Sequence, residues 1–464
     1  MLSVGVYSYI NHQPFKFMGL KMNKRSLIVI AVATVICCLL VTSGLQARPD
    51  ASAKFSVIRE ENPNNAKETL ILPYAFPSDT MGTTFGVGGL AKGYHQDQLL
   101  FGGTVFGSVD DAVGIIGGMW DYRLPWTERF FFTAFGALSH FPRQRAYTEV
   151  PRRADGSRPP PAGSNNSDED NFVEDEGDDN WIDLKLEYVL PIGSMKQSGM
   201  AEYHLQNGLL KSGATGGQSW NPLESGISVL LLGQKSRYQN YETDTVTYSG
   251  DMFPFQIGYY YNNTDFVTNP SIGSSQYIAY QKDFTDESTG GSWDFLEFEA
   301  SKYFNLNTSR FSRQEVLALN FWTGNSFSYD VVTAPNGESI VEHKPPFLTG
   351  ANLGGFYRMR GFPNNRFNDR SVIYTAAEYR YTLKWNPFAN INWLRWLKTD
   401  WFQIVPFVEG GRVAGEYDFS ELFSDWKFDA GIGIRAMMAG SVVRFDMAAS
   451  EEGGAFWVMF AQPF

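Results

Sequence analysis

From Leu70 to the last residue the chain alternates apolar and polar side chains with a period of two, and nowhere after Ala47 does it hold an apolar run approaching a helical span. Successive side chains leave a strand on opposite sides, so this alternation describes a strand with one apolar and one wet face. Between Trp181 and Leu190, Ile182, Leu184, Leu186, Tyr188 and Leu190 share one face, while Asp183, Lys185 and Glu187 share the other. Leu296, Phe298 and Ala300 oppose Glu297, Glu299 and Ser301. Phe428, Ala430, Ile432, Ile434 and Ala436 oppose Lys427, Asp429 and Arg435, and Val443, Phe445 and Met447 oppose Arg444 and Asp446. A helix would mix each pair of sets. A chain that crosses lipid must satisfy its own backbone, so without a helical run of about 20 apolar residues it crosses only as a closed sheet.

A soluble sandwich also alternates. The apolar faces here are flanked by rings, among them Trp120, Tyr122, Trp126, Trp385, Trp393, Trp396 and Trp401, as the aromatic girdles of a membrane barrel require. Aromatics make up 16% of the chain and Gly numbers 45, against 19% charged residues, a balance that suits such a barrel better than a soluble domain. The expected fold class is therefore all-β, a transmembrane antiparallel β-barrel. A net charge of -12 excludes nucleic acid as a partner, since phosphate neutralisation needs clustered Lys and Arg. It fits a bacterial surface, with outer-membrane lipids and lipopolysaccharide as surroundings.

The amino-terminal end carries an address. Lys24 and Arg25 precede an uncharged run from Leu27 to Val41, with small and polar residues leading to Ala47. This predicts a secretory signal peptide within residues 1–47, cleaved after Ala47, with an uncleaved anchor as the other reading. Cys37 and Cys38, the only cysteines, lie inside it, so the mature chain has no disulfide framework and no thiolate site. Residues 48–69 are polar and Asn-rich and predict a short periplasmic lead-in, and residues 70–464 the barrel. The stretch Pro151 to Asn180, with Pro159–Pro161 and then Asp168, Glu169, Asp170, Glu174, Asp175, Glu176, Asp178 and Asp179, predicts a solvated external loop, with cation or lipopolysaccharide bridging as the alternative. A second long loop is expected between Asn325 and Arg370.

Within that loop stand Gly354-Gly355 and then Met359-Arg360-Gly361-Phe362, followed downstream by Ala377-Glu378-Tyr379-Arg380-Tyr381 and by Val408-Glu409-Gly410-Gly411. In this order the motifs resemble those of the bacterial surface antigen superfamily, the group of BamA-like and TamA-like barrels, in which an Arg-Gly-Phe loop folds back into the lumen. The resemblance implies sixteen strands, with the lumen loop joining the eleventh and twelfth and five strands after it. Glu stands at 409 where the family usually carries Asp. Alternation independently puts Glu378, Arg380 and Glu409 on the lumen face, so an inserted Arg360 can pair bidentately with Glu378 or Glu409. Five strands are read after the loop, near 371–384, 400–412, 425–438, 440–449 and 454–464. Residues 198–250 admit more than one parsing. Phe456, Val458, Phe460 and the terminal Phe464 are expected to share one face and resemble the carboxy-terminal signal by which outer-membrane barrels reach the barrel-assembly machinery.

The resemblance implies a role in outer-membrane assembly or in moving protein or lipid through a lateral seam. The family's periplasmic polypeptide-binding domains have no counterpart in the short lead-in, which leaves room for a separate periplasmic partner. A plugged or gated pore is the alternative. No enzymatic role is expected: His95, His140, His204 and His343 sit in no nucleophile motif and no metal-ligand spacing, and no cofactor motif is present.

Overall fold

The computed structural model describes residues 6–7, 50–60, 67–78, 81–148, 160–217, 219–242, 247–285, 291–306, 308–333, 339–389 and 391–464. Apart from Val6–Tyr7, the expected amino-terminal extension and signal peptide of residues 1–47, with Lys24, Arg25, Cys37, Cys38 and Ala47, lie outside them. So do residues 149–159 of the first long loop.

Sixteen strands follow one another in antiparallel register. They are β1 (Glu68–Ser78), β2 (Gly82–Lys92), β3 (Leu100–Ser108), β4 (Val113–Arg123), β5 (Phe130–Ala146), β6 (Val173–Val189), β7 (Ile227–Glu242) and β8 (Phe255–Asn262). The second half comprises β9 (Gly273–Lys282), β10 (Asp294–Asn305), β11 (Ser312–Asn325), β12 (Ser371–Leu383), β13 (Thr399–Ala414), β14 (Lys427–Met438), β15 (Ser441–Ser450) and β16 (Gly453–Phe460). Each pairs with the next, from β1 with β2 through β15 with β16. The long loop joins β11 to β12 and five strands follow it, as the motif order implies. Among the described residues no helix is long and apolar enough to cross a membrane.

The alternation separates two environments. Ile71, Val105, Ile115, Leu138, Ile182 and Val408 stand on the exposed outer face, whereas Asp183, Lys185, Glu187, Glu297, Glu299, Glu378 and Glu409 are buried on the inner one. Bare strands would leave these charges costly; they survive inside because every carboxylate has a cation or a donor at hand.

Loop lengths are unequal. At the end where β1 begins, the near end, β14 turns into β15 through Ala439 and Gly440 alone, both at positive φ as a tight hairpin demands. At the far end, residues 326–370 intervene between β11 and β12. One expectation needs correction. The acidic run Glu174 to Asp179 is not loop but the outer part of β6, paired with β5, with an ion pair from Arg145 to Glu174 and a hydrogen bond between His140 and Asp178 across the ladder. A charged strand that projects past the bilayer keeps its backbone pairing while its side chains meet water, so acidic composition there does not mean disorder.

The near end holds the first part of the segment 198–250 that resisted parsing, whose second part contains β7. Among the described residues of 190–226, between β6 and β7, there is no membrane strand; Ala201–Gln206 and Leu209–Ser212 pair as a hairpin, and the lead-in strand Phe55–Arg59 joins its edge in parallel. Asn207 and Gly208 make the turn at φ 49° and 73°, the mirror-image turn for which Asn-Gly is suited. This small sheet plugs the mouth. Tyr203 and Leu205 are fully buried in one apolar cluster with Ala51, Ala53, Val229, Leu231, Phe266 and Trp401, and Trp401 Nε1 donates to Gly208 O at 3.0 Å.

The sheet does not close by hydrogen bonds. Among the described residues no paired register joins β1 to β16, and the free edge of β16 pairs instead with Val6–Tyr7. Phe402, Ala436, Val443, Val458 and Phe460, on the outer faces of β13 to β16, are buried in one cluster with Leu70, Tyr74, Leu90, Phe106 and Ile116 from the inner faces of β1 to β4. The two margins therefore overlap face to face, like a scroll.

Candidate functional site

The loop between β11 and β12 enters the lumen as a hairpin. Ala351–Leu353 pairs with Phe367–Asp369 at its base. Gly354 and Gly355 follow at φ 105° and 107°, a conformation open to Gly and strained for other residues, and their amides donate to Arg358 O and Phe362 O. Met359 is held at φ 57° with its side chain fully buried, and the Phe362 amide donates back to Met359 O at 3.1 Å, so residues 359–362 form a tight tip. Phe362 packs edge-on against Phe367 with centroids 5.2 Å apart.

This tip presents Arg360 to the wall. Its side chain is fully buried, with Nη2 3.0 Å from Glu378, Nε 3.2 Å from Glu409 and Nη1 2.6 Å from Asp446. Of the three, the Asp446 contact is aligned as a hydrogen bond, while Nε and Nη2 lie at ion-pair distance without that alignment. Arg360 thus shares itself among three carboxylates on β12, β13 and β15 rather than forking onto one. The side chain that does fork is Arg435, which reaches Glu378 at 2.6 and 2.9 Å. The face of the Arg360 guanidinium lies 3.5 Å from the centroid of Phe407.

The tip's backbone is gripped as well. The Arg360 amide donates to Glu409 at 2.7 Å, the Gly361 amide donates to Asp429 at 3.0 Å, and Trp457 Nε1 donates to Arg360 O at 2.7 Å. Ser450 Oγ donates to Gly361 O. Gly is required at 361 because a Cβ there would sit 2.6 Å from Asp429 Cβ and 2.9 Å from the Ala449 carbonyl carbon.

The charge balance explains the insertion. Cross-strand register sets Glu409 opposite Asp429 and Arg435 opposite Arg444, two like-charged pairs that would repel. Around the tip the wall places four buried acidic groups, Glu378, Glu409, Asp429 and Asp446, and three buried guanidiniums, Arg380, Arg435 and Arg444. Arg360 is the fourth cation. Sequence reasoning found Glu378 and Glu409 but not the part played by Asp446, Asp429, Arg435 and Arg444. Their inward orientation was visible in the alternation; their common height depends on the stagger between strands, which a single strand does not encode.

At the far rim the loop is tied down a second time. Arg366 Nε lies 2.7 Å from Glu452, and its Nη atoms donate to Ser167 Oγ and O at 2.7 Å. The carboxy-terminal signal divides. Phe456, Val458 and Phe460 share the outer face of β16, but the chain leaves the strand at Ala461, held at φ 64°, and Phe464 turns inward to lie 5.2 Å from the Arg380 guanidinium in the lumen cluster. Phe464 therefore does not share their face, because the positive φ at Ala461 and Pro463 interrupt the alternation. Among the described residues no group of three or more His, Cys, Asp or Glu is placed to hold a metal ion.

Known proteins give the context for this geometry. BamA from Haemophilus ducreyi, in a form lacking POTRA domains 1–3, is similar over 85% of this chain and 70% of its own, at 12% identity and a TM-score of 0.43. CdiB from Acinetobacter baumannii is similar over 84% of this chain and 59% of its own, at 11% identity and a TM-score of 0.46. For CdiB from Escherichia coli the shares are 84% and 62%, the identity 12% and the TM-score 0.49. The chain spans less than two thirds of either CdiB. No curated protein matches it. The Omp85 superfamily domain matches residues 183–454, more than half of the chain, including the Arg360 loop and the wall that receives it. This bacterial outer-membrane barrel belongs to the Omp85 superfamily.

Proposed function

We propose that the protein acts in outer-membrane assembly or in translocation of protein or lipid, through the seam between β1 and β16. The observation that carries this reading is the seam itself, across which β1 and β16 share no paired register among the described residues. An edge in lipid with unsatisfied backbone groups is costly, so a strand that offers its own N–H and C=O groups is a favourable partner for it. The margins are held by apolar contact, which is non-directional and can slide without breaking hydrogen bonds. A plugged or gated pore is the second reading, favoured by a lumen entered from the far end by the Arg360 loop and closed at the near end by the small sheet.

A tether separates the two. In a background with Cys37 and Cys38 replaced by Ser, Leu70→Cys on β1 and Val458→Cys on β16 would be joined by a short thiol-to-thiol linker. The assembly reading expects outer-membrane protein or surface lipid levels to fall in tethered cells and recover when a cleavable linker is cut. Unchanged assembly, together with equal ion conductance of tethered and free barrels in planar bilayers, would overturn it in favour of a pore.

A further inference from the structure

The lead-in lies in a socket of buried charge. Lys54, fully buried, places Nζ 2.5 Å from Asp121 of β4 and 2.6 Å from Glu187 of β6. Asp121 reaches this position because the β4–β5 register shifts between Met119 and Tyr122 and Asp121 adopts φ 61°. The Ser52 amide donates to Glu187 at 2.8 Å. Four residues before Lys54, Asp50 is 3.4 Å from Lys185, 3.0 Å from Lys235 and 3.1 Å from Gln256. After Lys54, the Phe55 ring packs edge-on to Tyr203 at 5.5 Å, and Phe55–Arg59 lies along the edge of Ala201–Gln206 in parallel.

The walls of this socket belong to the barrel and its hairpin, not to the lead-in. Emptied, the socket would keep Glu187, which is buried, and Asp121, which is partly exposed, without the ammonium that sits between them, and a buried acid deprived of its cation is disfavoured. The strand edge at Ala201–Gln206 would also lose its partner. Both deficits are met by one kind of replacement: an extended chain with an acid, then an ammonium group four residues on, then an aromatic ring. β-Addition supplies affinity through the backbone, and the charge pattern supplies selectivity.

We propose that the near end is a binding site for an extended polypeptide segment of this pattern, and that residues 50–59 are its resident, exchangeable occupant. The proposal rests on the translocation reading only for where such a segment comes from. The test reads binding alone, so each can fail without the other. Lys54→Glu in the full chain places a carboxylate beside Asp121 and Glu187 and is expected to expel the lead-in, seen as new chymotryptic cleavage at Phe55. A labelled synthetic peptide of residues 50–60 should then bind the variant and not the wild type. The same peptide carrying the Lys54→Glu change should bind the variant at least about tenfold more weakly, the loss expected for one charge-assisted contact.

A second form avoids altering the socket. A protease site inserted within residues 61–66 and cut in the folded barrel makes the resident segment detachable with all its charges intact, and the labelled peptide should exchange into it. Equal binding of both peptides, or failure of the wild-type peptide to enter either the variant or the cut barrel, would overturn the proposal and leave residues 50–59 as a fixed part of the fold. Unchanged resistance at Phe55 in Lys54→Glu would count against it as well, since the charge pair would then not hold the segment.

Discussion

At the scale of single residues, Arg360 is a side chain on which three buried carboxylates converge. Replacing it by Ala leaves four buried acidic groups facing three guanidiniums, and removing one member of a buried ion-paired set costs about 3–5 kcal/mol. Arg360→Ala should therefore unfold at a clearly lower urea concentration in detergent, with Arg360→Lys in between, because an ammonium cannot span three acids on three strands. A shared midpoint for all three proteins would mean that the loop is held by other contacts. Gly361→Ala tests the neighbouring position without changing charge. Its Cβ meets backbone as well as Asp429, so the tip must withdraw, and the Trp457 indole that donates to Arg360 O should show altered fluorescence.

Among elements, the five strands after the motif loop were legible to within a few residues, since alternation within each is sustained, even where the longer connections 384–398 and 415–426 separate them. The near-end hairpin was not, although Asn207-Gly208 is a strong local signal for one. Its strands are short, its alternation continues that of the barrel, and nothing local says that Ala201–Gln206 takes the lead-in as a neighbour. Gly208→Val should loosen this plug, because the φ of 73° disfavours a β-branched residue and a Cβ would lie 2.6 Å from Asp400 Cβ; faster proteolysis within 190–226 is the expected result. The far-end loop adds a dependence on pH. Burial first, then Asp170 and Asp168, raise the Glu169 carboxyl above its ordinary value, while Arg366 pulls it the other way. A raised folded-state value means that the stability from Glu169 is complete below the unfolded carboxylate value of about 4.3 and is lost as pH rises through the folded one. Proteolysis of the loop around residues 160–172 should be slowest in acid, and Glu169→Gln should flatten the profile. A profile identical to wild type would show that Glu169 does not govern the docking.

For the molecule as a whole, the sixteen-strand count and the inserted loop followed from the family resemblance that the motifs carry, whereas the overlapped seam did not. Pairing of β1 with β16 depends on the curvature of the whole sheet, and the residues that seal the overlap, Val458 and Phe460 against Leu70 and Tyr74, read in isolation as ordinary lipid-facing and lumen-facing positions. The seam also bears on how such a barrel comes to contain anything. A ring closed by hydrogen bonds can be filled only by pushing a chain through one of its ends. A sheet whose margins lap over one another can instead be wrapped around a segment already lying across it, so the amino-terminal residues need never have been threaded.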